Sequence, residues 1–137
     1  MLVVAGVLVD PDGRWMMHER PSGKMYAGLW EFPGGKVEAS ENPSQSLSRE
    51  LREELGISVV ASSCRPLLFA ADGARGDRPE IVLLLYSVSA WEGEPQALEG
   101  GAVGWFTPGE ALALPMPPLD RDLAERLVKQ PGPDGIW

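Results

Sequence analysis

Glu50, Glu53 and Glu54 fall within one helical turn of one another, in the stretch between Gly35 and Ile57. Like charges at this spacing destabilise an exposed helix. A chain keeps such a cluster most readily where a divalent cation neutralises it. The chemistry this suggests is metal-assisted attack on a phosphate. Mg²⁺ and Mn²⁺ favour carboxylate, carbonyl and water oxygens, so an exposed Gly35 carbonyl is a natural further ligand. In a dense carboxylate cluster one member can have a raised pKa and serve as the general base. Within the cluster the candidates are Glu53 and Glu50.

The surrounding residues describe the element that presents these groups. Asn42 is a good N-cap, Pro43 fits the first helical position, and Gln45 completes a capping box. Gly56 can adopt the left-handed conformation that ends a helix, which predicts a helix over about 43–55. At 100° per residue the three glutamates share an arc of roughly 100°. Leu47, Leu51 and Leu55 form the neighbouring stripe, which packs on the protein and aims the carboxylates at a cleft. Arg49 flanks the acidic arc, where it can orient a carboxylate bidentately. Upstream, Pro33-Gly34-Gly35 lets backbone approach a ligand closely, since glycine has no Cβ.

Gly35, Glu41, Arg49, Glu50, Leu51, Glu53, Glu54, Gly56 and Ile57 match every fixed position of G-x5-E-x7-R-E-U-x-E-E-x-G-U, where U is a bulky aliphatic residue. In this the chain resembles the Nudix family, whose members hydrolyse nucleoside diphosphates linked to another group, usually with Mg²⁺. Nine positions at fixed spacing over 23 residues form a specific signal. The resemblance extends to Leu29-Trp30-Glu31-Phe32-Pro33-Gly34-Gly35-Lys36-Val37-Glu38, which looks like the entry to this motif in MutT-type nucleoside triphosphate pyrophosphohydrolases. Trp91-Glu92-Gly93-Glu94-Pro95 followed by Leu98-Glu99-Gly100 resembles the segment that carries an additional metal-binding glutamate in that branch, here Glu99. Arg20 matches its phosphate-contacting arginine.

The resemblance implies an α/β/α sandwich, a mixed β-sheet between helices. It implies a metal set of Gly35, Glu50, Glu53, Glu54 and Glu99, with Glu99 a further candidate base. The implied cofactor is Mg²⁺, with Mn²⁺ as its substitute. Arg49 joins Glu53 and Glu50 as the expected catalytic group. Arg20, Phe32, Gly34, Lys36 and Asp120 are the expected substrate contacts. The implied reaction converts a (deoxy)nucleoside triphosphate and water to a monophosphate and pyrophosphate. An oxidised purine such as 8-oxo-dGTP is one expected substrate. Asp120, however, stands where the oxidised-guanine enzyme of this branch has an asparagine. An ionised aspartate only accepts hydrogen bonds, whereas a protonated one also donates. That departure leaves room for cytidine or modified-pyrimidine nucleotides. ADP-ribose or a dinucleotide is a third possibility, and a nucleotide-sensing module without catalysis a fourth. Such a module tends to lose glutamates of the motif, and all are present here.

Composition agrees. At 137 residues one domain is expected, over 1–130, with 131–137 as a loose tail. The net charge of −8, with 20 acidic and 12 basic residues, argues against a basic surface for nucleic acid polymers or an anionic membrane. It does not argue against a small nucleotide, because bound metal reverses the local field. No apolar run reaches the roughly 18 residues of a membrane helix, and the start lacks a signal peptide's positive charge. Cys64 is the sole cysteine, so no internal disulfide can form, and a cytoplasmic setting is the simplest expectation. It reads as a small core residue. Oligomeric state is not legible.

Along the chain, strands are expected over about 2–9 and 14–20, joined by a tight turn at Asp10-Pro11-Asp12-Gly13. The second alternates Trp15, Met17 and Glu19 against Met16, His18 and Arg20. His18, the sole histidine, reads as structural or incidental, since Mg²⁺ sites prefer oxygen. A loop is expected over 21–36. A strand over 58–71 breaks near Pro66, and 72–78 is a polar turn. Ile81–Val88 is near-continuously apolar, as suits a central strand covered on both faces. A short strand at 102–106, a brief helical turn capped near Thr107 and a proline-rich bridge lead to a last helix over about 119–129. Its stripe is Leu119, Leu123, Ala124 and Leu127.

Overall fold

A computed structural model describes residues 1–130; the expected tail and its Trp137 lie outside the described residues. The strands are β1 (Leu2–Leu8), β2 (Trp15–Glu19), β3 (Trp30–Glu31), β4 (Gly34–Lys36), β5 (Ser58–Val59), β6 (Cys64–Asp72), β7 (Ile81–Val88), β8 (Trp91–Glu92) and β9 (Ala102–Phe106). The helices are α1 (Pro43–Leu55), α2 (Pro108–Leu112) and α3 (Pro118–Leu127). Four strands form a mixed sheet in the order β4-β1-β7-β6, with β1 and β7 parallel and the other pairs antiparallel. Beside it lie an antiparallel sheet β3-β2-β9 and a small ladder β5-β8.

Strand alternation divides the apolar side chains between two cores, one on each face. Ala5, Val7, Trp15, Met17, Leu83 and Leu85 point to the face covered by Ala111 of α2 and Leu123, Ala124 and Leu127 of α3. Val4, Leu8, Met16 and Val88 point to the other, against Leu47, Leu51 and Leu55 of α1. All three leucines are fully buried. The expected sandwich of helices about a mixed sheet is therefore present, and the alternating pattern of β2 decides which residues face which helix. Cys64 is a free, buried thiol in the α1-side core.

Two expectations need correction. The stretch 21–36 is not all loop: β3 pairs with β2, and β4 pairs with β1. Pro33 and two glycines hide these strands from propensity rules, because sheet pairing rather than residue type stabilises so short a segment. The segment 58–71 is not one strand. A 3-10 turn at Ala61–Ser63 separates β5 from β6, and β6 bulges between Pro66 and Leu68. Proline cannot donate to a ladder, which is why the irregularity falls there.

Candidate active site

Helix α1 is closed at both ends as its sequence requires. The Asn42 side chain accepts from the Gln45 N–H at 2.9 Å, and the Gln45 side chain accepts from the Asn42 N–H at 3.0 Å. Gly56 ends the helix at φ 72°. The buried leucine stripe then fixes the rotation of the helix, so that Glu50 lies against Gly35 of β4 and Glu54 against His18 of β2. A Cβ at Gly35 would fall inside the Glu50 carboxyl group, so any side chain there would displace that carboxylate. The glycine pair thus lets the glutamate lie directly against backbone.

Arg49 ties the acidic helix to the strand before it. It donates to Glu41 through Nε at 3.1 and 2.9 Å, and through a terminal nitrogen at 3.0 Å. It also reaches the Lys36 carbonyl at 3.2 Å, Glu50 at 2.9 Å and Glu53 at 3.3 Å. This bonding with Glu41 holds the guanidinium charged above its usual range and draws the Glu41 carboxyl below its own.

The cleft beyond has a volume of about 220 Å³ and is lined by four carboxylates, Glu31, Glu50, Glu54 and Glu99. His18, Arg20, Lys24, Gly34, Gly35 and Lys36 complete most of its wall. Glu54 is the deepest carboxylate. Burial pushes its pKa up to about 7; His18 opposes the rise, and Glu31, Glu50 and Glu99 add to it by repulsion. Glu50 is also raised, chiefly by burial, against the pull of Arg49. Burial lowers the pKa of His18, but the Glu31 and Glu54 carboxylates and the Gly100 carbonyl outweigh it, and the net direction is upward. His18 Nε2 donates to the Gly100 carbonyl at 3.2 Å, which fastens β2 to the loop bearing Glu99.

Among the described residues, no three His, Cys, Asp or Glu side chains converge closely enough to grip a metal ion as they stand. The donor set still suits one. Glu50, Glu54, Glu99 and Gly35 offer only oxygen, and Glu54 Oε1 is buried with no hydrogen-bond partner. An unpaired buried carboxylate oxygen is costly unless a cation or proton meets it. Hard divalent cations accept such ligands.

Glu53 is placed differently from its two neighbours. Its side chain is 54% exposed, lies against Arg49, and is not part of the cleft wall. A smaller pocket of about 90 Å³ adjoins the cleft and shares Arg20, Glu31, Gly34 and Gly35 with it. Phe32 and Asp120 line this pocket with Val3, Ala5 and Leu83. Asp120 Oδ2 accepts from the Phe32 N–H at 3.1 Å. Burial, then Glu31, pushes the Asp120 carboxyl up to about 7, against the Phe32 hydrogen bond. Phe32 is itself fixed by packing on Trp15, with ring centroids 5.8 Å apart.

The structure therefore brings together Arg20, Gly34, Gly35, Lys36, Glu50, Glu54 and Glu99 in one cleft, with Phe32 and Asp120 next door. Arg49 supports the cleft from outside its wall, and Glu53 stands apart beside it. Sequence reasoning missed Glu31, Lys24 and His18 as wall residues. His18 was detectable in the alternation of β2, which puts it on the same face as Met16, toward α1.

A Nudix domain model matches residues 1–127. The CTP pyrophosphohydrolase of Escherichia coli strain K12 is 39% identical over 129 residues, covering 93% of this chain and 92% of that protein. An 8-oxo-dGTP diphosphatase of Haemophilus influenzae is 34% identical over 128 residues, covering 93% and 91%. The crystal structure of a MutT Nudix hydrolase from Burkholderia pseudomallei superposes with a TM-score of 0.80 at 28% identity, covering 92% of this chain and 96% of that one. With the motif on α1, the glycine-backed carboxylates and a match over nearly the whole chain, this protein belongs to the Nudix family.

Proposed function

We propose that this protein is a divalent-metal-dependent nucleoside triphosphate pyrophosphohydrolase, releasing a nucleoside monophosphate and pyrophosphate. The observation that carries this reading is the meeting of Glu50, Glu54, Glu99 and Gly35 in one cleft, joined to a pocket holding Phe32 and Asp120. The first suits a charged polyphosphate with its cation, the second a nucleobase. Relatives of similar length named CTP pyrophosphohydrolase and 8-oxo-dGTP diphosphatase support the same reaction class.

Glu50, Glu54, Glu99 and the Gly35 carbonyl are the residues to hold Mg²⁺ or Mn²⁺, which would supply charge neutralisation on the phosphates. The chain's own groups do the rest. Arg49 holds Glu50 in place with a 2.9 Å hydrogen bond. Burial raises the Glu50 carboxyl, which makes it a stronger acceptor for the proton of an attacking water. Glu50 therefore takes precedence over Glu53 as general base, a choice that the sequence left open. Positioning and electrostatics account for the remaining acceleration.

A second reading concerns the base. The Asp120 carboxyl, pushed to about 7, is available in both protonation states near neutrality. When protonated it donates and accepts, which complements the N3 acceptor and N4 amino donor of cytosine. The same pair also suits an oxidised guanine, and the higher identity to a CTP pyrophosphohydrolase, 39% against 34% for an 8-oxo-dGTP diphosphatase, is what favours cytosine nucleotides. The test for both readings is pyrophosphate release with Mg²⁺ over a panel of nucleoside triphosphates, with ADP-ribose and a dinucleotide as controls. Cleavage of only the two controls overturns the reaction. A higher kcat/KM for 8-oxo-dGTP than for CTP or dCTP overturns the cytosine preference.

A further inference from the structure

The three cations of the cleft stand in two states. Arg20 is occupied by the protein: its Nε donates to the Met25 carbonyl at 2.7 Å, and one terminal nitrogen donates to both Glu31 oxygens at 3.0 and 2.9 Å. Lys36 presents its backbone carbonyl to Arg49, and its ammonium has no hydrogen-bonded or ion-paired partner among the described residues. Lys24 lines the cleft from the loop between β2 and β3, and among the described residues it has no hydrogen-bonded or ion-paired side-chain partner. The chain has thus placed two uncommitted ammonium groups on the wall of a cleft bearing four carboxylates, that of Lys36 on β4 and that of Lys24 on the facing loop.

The loop that carries Lys24 is built, not slack. Its ends are closed by Arg20 N–H to the Leu29 carbonyl at 2.9 Å and Gly28 N–H to the Arg20 carbonyl at 3.0 Å. Inside, Ala27 N–H meets the Lys24 carbonyl at 3.1 Å and Leu29 N–H meets the Tyr26 carbonyl at 3.0 Å. Tyr26 holds φ 61°, the sole positive φ of a non-glycine residue among the described residues. Such a conformation costs about 1 kcal/mol or more and persists only where surrounding contacts hold it. The Arg20 bridge from Met25 to Glu31 is such a contact.

We propose that Lys24 is a substrate-positioning residue that holds the outer phosphates of the polyphosphate, on a loop clamped over the cleft by Arg20. The inference rests on the cleft being a polyphosphate hydrolase site. It gives to Lys24 the phosphate contact that the family resemblance implied for Arg20: Arg20 orders the loop, and Lys24 supplies a free positive charge. A lysine acts on phosphate as a point charge and does not require bidentate geometry. Arginine at the same position therefore retains the function.

The test is steady-state hydrolysis with Mg²⁺ of the nucleoside triphosphate that the wild type turns over best. Lys24→Met keeps the apolar stem and removes the charge, and raises KM about tenfold, as loss of one charged contact implies. In this variant kcat stays within about threefold. Lys24→Arg restores KM, and both variants melt at the wild-type temperature. Trypsin cleaves after Lys24, so Arg20→Met, which opens the clamp, speeds cleavage at that bond. An unchanged KM in Lys24→Met, or no rescue by Lys24→Arg, overturns the phosphate role. Unchanged cleavage in Arg20→Met overturns the clamp. Failure of the parent reading is separately visible, because the wild type would then release no pyrophosphate from any triphosphate.

Discussion

Glu54 Oε1 lies 3.6 Å from His18 Nδ1, both are buried, and neither atom has a hydrogen-bond partner. This is too long for a hydrogen bond but close enough for electrostatic coupling. The carboxylate is held in a place that costs stability, as ligand-binding groups are. Glu54→Gln keeps the shape and removes the charge. The Glu54 carboxyl titrates at about 7 in the folded protein against 4.5 for the free group. The native state therefore keeps a proton that the unfolded chain has lost between those values, and stability falls as pH rises through that window. At pH 8 without metal, Glu54→Gln is expected to be more stable by on the order of 2 kcal/mol, yet nearly inactive. Thermal unfolding in chelator and a pyrophosphate assay check the two halves. A lower melting temperature would contradict the first.

Glu50 and Glu53 both touch Arg49, but only Glu50 lines the cleft. Glu50→Gln is expected to lower kcat by about 10³ or more, with the fold retained. Glu53→Gln is expected to lose much less, since its side chain is more than half exposed. Comparable losses in the two variants would place Glu53 back among the reacting groups.

Gly35→Ala tests the contact between strand and helix. The new methyl group displaces the Glu50 carboxyl from the cleft wall. Turnover should drop by at least about tenfold, while far-ultraviolet dichroism stays that of the parent, because one side-chain shift absorbs the clash. Gly34→Ala differs, since its Cβ would strike the Val4 backbone in the β1–β4 ladder. That variant should unfold at markedly lower temperature.

Asp120→Asn separates binding from stability. Asp120 titrates at about 7 when folded against 3.8 when free, so its contribution to stability declines as pH rises between those values. Asparagine does not titrate, and its amide oxygen still accepts the Phe32 N–H. The melting temperature of Asp120→Asn relative to wild type should therefore be higher at pH 8 than at pH 5. Its kcat/KM for cytosine nucleotides should also lose the pH dependence contributed by this carboxyl. Parallel melting curves for the two proteins across that range would refute the raised pKa.

The helix that carries the chemistry was readable to the residue, because Asn42, Gln45, Gly56 and the leucine stripe each report a local rule that tertiary packing did not override. The same holds for β1, β7 and the two faces of β2. What escaped was set by distant partners. β3 and β4 are two and three residues long and exist through pairing with β2 and β1. His18 was set aside because its ring is not a natural Mg²⁺ ligand. Its place in the wall depends on Gly100, 82 residues away. Glu53 and Glu54 are adjacent and chemically identical, but the helical period puts Glu54 beside the leucine stripe and Glu53 about 100° further from it, in keeping with the buried place of one and the exposed place of the other.

Because the sheet divides its apolar residues between two cores, the protein's hydrolytic half and its recognition half rest on opposite sides of one layer. Helix α1 and its leucines underpin the first, while Phe32 and Asp120 stand with α3. Nucleotide preference is then free to drift through substitutions near α3 without disturbing the carboxylates. Repacking Leu123 or Ala124 should change the ratio of rates between two nucleotides, whereas repacking Leu47 or Leu51 should slow all nucleotides alike.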